Sequence, residues 1–157
     1  MEIFQSPIVQ FNNNLTQHFS NIYLFVILNI FFIIATYTDL RYMKIYDKFN
    51  IALLITRIIT AFIFGFSTNL LLGGLVIFLA FLFSAMYTKD KIAGDIKFGG
   101  NVGLWLGFIP SIAFVVLTIL TNLIHRVFTG NKKKIPLAPY FYLSYLIFTL
   151  YYFLILT

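Results

Sequence analysis

The chain holds five acids, Glu2, Asp39, Asp47, Asp90 and Asp95, and no cysteine. A chain without cysteine has no thiol nucleophile, no disulfide framework and no cysteine-held zinc. His18 and His125 stand too far apart in context to form the grouped set of three or four ligands that a metal site needs. No metal and no cofactor is therefore expected, and the chemistry left is that of carboxylates. Two facing carboxylates can share one proton, because like charges a few ångströms apart cannot both ionise. One then acts as base on a water while the other acts as acid toward a carbonyl oxygen. Asp39 closes one apolar stretch and Asp95 opens another, whereas Asp47 beside Lys48 and Asp90 between Lys89 and Lys91 read as loop charges that balance their neighbours.

The elements that must position such a pair are membrane helices. Of 157 residues, 61% are hydrophobic and 10% charged, with 20 Phe and 10 Tyr; a soluble domain carries about 25% charged residues. The composition predicts an all-α polytopic membrane bundle. Its length suits a single membrane-embedded domain over 1–157, with residues 1–20 as a possible interfacial segment carrying Ile8, Val9, Phe11, Leu15 and Phe19 on one face. Spans are expected at about 21–38, 49–66, 69–87, 95–108, 111–128 and 139–156, about six transmembrane helices in all. The apolar run after Lys97 is too long for one span, and Gly107 and Pro110 offer the break.

Charge tests that count. Arg57 lies within the second span, and the other ten of the eleven Lys and Arg residues fall at the ends of spans one, three and five. Alternating topology puts those ends on one side, which the positive-inside rule makes cytoplasmic, with both termini outside. The net charge of +6 is thus a topology signal. No basic helix with interleaved aromatics accompanies it, and nucleic acid is not an expected partner.

Asp39 and Asp95 fall near one predicted membrane depth. A carboxylate at mid-helix in a bilayer costs about 2.5–3.5 kcal/mol, and less near the edge. Asp95 heads a stripe of Gly99, Gly103 and Gly107, spaced for one helix face and for close approach of another backbone. Lys97 either steers a substrate, supports Asp95 or snorkels at the boundary. Arg57, costly where it stands, needs a carboxylate or helix-end carbonyls.

Three motifs carry a family resemblance: Thr38-Asp39-Leu40-Arg41 followed by Ile45, then Gly94-Asp95-Ile96-Lys97, then Ile135-Pro136-Leu137-Ala138-Pro139-Tyr140. In this order they resemble the type IV prepilin peptidases, intramembrane aspartic peptidases of the Gly-x-Gly-Asp type, over about residue 35 to the C-terminus. The chain departs from that pattern at Ile92, where a Gly is usual, and at Tyr46-Asp47, where Pro-Asn often follows the isoleucine. A counterpart of the methylating N-terminal part of many bacterial members is not expected. The resemblance implies Asp39 and Asp95 as the catalytic pair, with Gly94 and Lys97 as motif support. It implies a multi-pass protein of the bacterial plasma membrane whose substrate is a prepilin or pseudopilin-like protein with a short basic leader, cut at the cytoplasmic face. The alternatives are a preflagellin-type peptidase and a non-catalytic membrane scaffold that keeps the fold.

Overall fold

A computed structural model describes residues 6–19, 21–65, 67–88, 93–129 and 135–156. Helix α1 runs Pro7–Phe19, α2 Ile22–Tyr42, α3 Asp47–Phe64, α4 Thr68–Thr88, α5 Ala93–Leu106, α6 Phe108–Thr129 and α7 Ala138–Tyr151, continued by a π-helical turn Tyr152–Leu156. The boundaries follow local chemistry. Asn21 caps α2, its side chain accepting from the N–H groups of Tyr23 and Leu24. Met43 ends the same helix in the left-handed conformation and donates back to the carbonyl of Asp39. Gly107, at φ +85°, makes the break between α5 and α6. Pro110 falls in the first turn of α6, where a missing N–H costs nothing.

Four helical stretches are long and apolar enough to cross a membrane: Ile22–Tyr42, Thr68–Met86, Phe108–Thr129 and Ala138–Ile155. The other two expected spans form as helices of a different character. α3 carries Asp47, Lys48 and Arg57, and α5 has only 14 residues. α5 is the buried centre, with ten of those residues buried. α4 and α3 pack against it, α6 lies behind α4, and α7 runs between α6 and α2.

The glycine stripe explains how closely α4 and α5 approach. A Cβ on Gly73 would lie 2.5 Å from the carbonyl oxygen of Gly103, and one on Gly99 would lie 2.9 Å from Ile77. Only hydrogen atoms fit between these backbones. The remaining interior is aromatic. Phe32 of α2 meets Phe98 of α5 at 5.5 Å and Tyr145 of α7 at 4.8 Å, and Phe141 of α7 meets Phe114 of α6 at 5.7 Å. Outward positions are apolar too: Ile33, Ile58, Phe62 and Ile119 are all exposed. An apolar face with no protein cover is what lipid requires. The chain is an all-α membrane helix bundle.

α1 is more than an interfacial segment. Ile8 and Val9 are exposed, but Leu15, His18 and Phe19 are buried, and α1 packs on α6, α2, α5 and the π-helical turn that continues α7.

Candidate active site

At the other end of the bundle, α2 finishes while α5 and α7 begin. Asp39 stands in the last turn of α2 and is 3% exposed. Its Oδ2 accepts the backbone N–H of Ala138 at 2.9 Å. Ala138 is the first residue of α7, and the N-cap position Leu137 offers no side-chain cap of its own. The first N–H groups of a helix lack intrahelical partners and carry the positive end of its dipole. Asp39 therefore caps α7 from a separate helix, and α7 in turn favours a negative charge on Asp39. The hydroxyl of Thr36 adds a second tie, donating to the Ala138 carbonyl at 3.4 Å.

Asp95 stands in the first turn of α5, 8% exposed, and so also sits at the positive end of a helix. The residue before it has to be glycine. A Cβ on Gly94 would come within 2.6 Å of the carbonyl oxygen of Ile45, so the loop between α2 and α3 lies directly on the entry to α5. Asn50 of α3 reinforces the contact, its Nδ2 donating to the Gly94 carbonyl at 3.3 Å. The backbone carbonyl of Asn50 accepts from Asn101 Nδ2 at 3.0 Å. Ile45 is buried, as is Ile135 before α7. Both aspartates are thus buried at one end of the bundle, on elements tied to each other by backbone contacts.

Lys97 goes elsewhere. Its ammonium meets Asp47 Oδ1 at 2.6 Å in an exposed ion pair. The hydrogen bond from Lys97, and then its charge, hold the Asp47 carboxyl below its ordinary range. The partner of Asp47 is therefore Lys97 at the start of α5 rather than its chain neighbour Lys48. Ile92, Asp90 and the basic run Lys132–Lys134 lie outside the described residues.

Sequence reasoning missed Asn50, Asn101 and the N–H of Ala138. Asn50 and Asn101 left a signal, as amides inside apolar stretches that lipid would not tolerate unpaired. The Ala138 contact left none, since a backbone donor has no letter of its own.

The arrangement can do acid–base chemistry. Two carboxyl groups stand at the boundary end of the bundle, each at a helix N-terminus that stabilises its anion, with neither thiol nor, among the described residues, any cluster of metal-ligating side chains beside them. No curated protein and no solved structure matches the chain. The type IV leader peptidase family matches over residues 26–127, a stretch that starts in α2, ends in α6 and contains both Asp39 and Asp95. The Ile135-Pro136 motif and all of α7 fall beyond it. Because that match covers well over half of the sequence, the chain belongs to the type IV leader peptidase family.

Proposed function

We propose that the protein is an aspartic endopeptidase in which Asp39 and Asp95 act on one water, removing the short basic leader of a prepilin or pseudopilin-like protein at the cytoplasmic membrane face. One carboxylate takes a proton from water as its oxygen bonds to the scissile carbonyl carbon. The other carboxyl protonates the carbonyl oxygen. Collapse of the resulting diol breaks the C–N bond, and the amine leaves with a proton from the pair. The observation that carries this reading is that the family match spans the two acids that the fold buries at one end of the bundle. Gly94 supports it by admitting the α2–α3 loop beside Asp95. Lys97 and Asp47 then form a charged rim outside the pair. The plasma membrane, with both termini extracytoplasmic, is the location that the one-sided basic residues support.

The scaffold reading has one observation in its favour: Asp39 already has structural work as the cap of α7. The two readings separate at Asp39→Asn. Asparagine keeps an oxygen to accept the Ala138 N–H but cannot share a proton. Co-expression with prepilins of the same genome, scored by a leader-sized gel shift, should show cleavage by wild type and none by Asp39→Asn or Asp95→Asn at wild-type membrane levels. Undiminished cleavage in either variant would remove the dyad.

A further inference from the structure

The end of the bundle away from the aspartates has a recess of about 450 Å³ between α1, the start of α2, the end of α3 and the end of α5. Arg57, His18, Asn14, Trp105 and Asn21 line it, and among the described residues no carboxylate does. Arg57 is 5% exposed. Its Nε donates to the Leu104 carbonyl at 2.8 Å, its Nη1 reaches the Thr60 hydroxyl at 3.2 Å, and its guanidinium lies 5.4 Å from the Trp105 ring centroid. Nη2 has no hydrogen-bond partner, and the charge has no counter-ion among the described residues.

Three more polar atoms around the recess are buried and lack hydrogen-bond partners: Trp105 Nε1, Asn14 Nδ2 and His18 Nδ1. The first two are donors only. The third carries a proton whenever Tyr145 donates to the opposite ring nitrogen, 2.9 Å away. A buried cation without a counter-ion and several unfilled donors are each costly. One anion with several acceptor oxygens would satisfy them together, and the volume is in the range of small-ligand sites, about 300–1,000 Å³.

We propose that this recess binds a phosphate-type anion, held by Arg57 with Trp105, Asn14 and His18 as further donors. The oxygens come either from a phospholipid headgroup in the leaflet facing that end or from a free anion. The reading is independent of the peptidase assignment, since no residue of the recess belongs to the aspartate end.

Trp105 is the only tryptophan in the chain, so its emission reports the recess directly. The full-length protein in detergent is titrated separately with dihexanoyl phosphatidylglycerol, with sodium phosphate, and with the uncharged dihexanoyl glycerol. A saturable change with a phosphate-bearing probe is expected, and none with the glycerol. Saturation by the phospholipid alone assigns a lipid headgroup, and saturation by inorganic phosphate as well assigns the anion itself. Arg57→Gln should weaken half-saturation at least about tenfold, the loss of roughly one charge-assisted hydrogen bond. Asn14→Asp is the second variant. It keeps the oxygen that accepts from Asn69 but replaces a donor with a negative charge, and it should weaken binding as strongly. Absence of a saturable change with either phosphate probe, an equal response to the uncharged glycerol, or unchanged half-saturation in Asn14→Asp would overturn the site.

Discussion

The two ends of the bundle bury opposite charges by one rule. At one end Asp39 accepts the first N–H of α7 and Asp95 occupies the first turn of α5. At the other, Arg57 donates to Leu104, among the last carbonyls of α5. Helix starts are electropositive and helix ends electronegative, so α5 carries an acid at its head and receives a cation, from α3, at its foot. The comparison teaches that a membrane protein can keep ionised groups out of water where backbone dipoles stand in for the solvent. It also separates the roles. The acid end has a backbone donor on the Asp39 carboxylate and close backbone packing at Gly94 beside Asp95, whereas the base end has orphaned donors and space.

Five experiments would break or sharpen that contrast. The largest effect belongs to the acid end. Asp39→Asn and Asp95→Asn should each lower cleavage by about 10²–10⁴-fold, the usual scale of a lost acid–base group. The double variant should be no worse than either single one, because members of one catalytic unit are not additive. Multiplying losses would mean the two acids act separately.

Gly94→Ala should come next. The added Cβ meets the Ile45 carbonyl and must push the α2–α3 loop off α5. A displacement of about 1 Å beside reacting groups can cost roughly 10²-fold in rate. Cleavage should therefore collapse with little change in melting temperature, and a large melting shift with normal turnover would make Gly94 purely structural.

Effects at the base end should appear in stability. Arg57→Met strands the Leu104 carbonyl and should cost about 1.5–3 kcal/mol, read as a lower midpoint of unfolding in detergent. His18 adds a pH dependence there. Burial, and then Arg57, lower its pKa from 6.5 to about 3. Above pH 6.5 both folded and unfolded chains hold it neutral and the fold keeps its full stability. As pH falls from 6.5 toward 3, the unfolded chain takes up a proton that the fold refuses, so stability declines. His18→Gln should flatten that decline, and an identical pH profile would place its origin elsewhere.

The smallest effect is expected from Asp47→Asn. Its ion pair with Lys97 is open to water, and exposed pairs contribute little. Melting temperature should hold and cleavage change only mildly. Severe loss of cleavage would bring the rim into the catalytic machinery.

Much of the fold could be read before any coordinates. The helix boundaries came from residues that act locally: Gly107 and Pro110 as a break, and charges gathered at alternate span ends. The shared position of Asp39 and Asp95 followed from the same alternation. What was not legible is pairing across the fold. Arg57 needed an acceptor, but only packing shows that it is the Leu104 carbonyl. Lys97 has an acid two residues away on its own helix, where i and i+2 do not face each other, and only packing shows that it pairs with Asp47 of α3. The inward turn of His18 stayed hidden because the apolar face of α1 reads equally as one lying on a membrane surface, and only the bundle shows which part of it is covered.

One consequence of α5 concerns electricity rather than packing. Its 14 residues rise about 21 Å, against a hydrocarbon slab of about 30 Å. Water that reaches both of its ends leaves only that shorter insulating path, and the transmembrane voltage falls across it. The field along α5 is then about 1.4 times that in the neighbouring lipid, the ratio of the two thicknesses. Asp95 and the Arg57–Leu104 contact sit at the two terminals of that gap, so that the membrane potential falls between them.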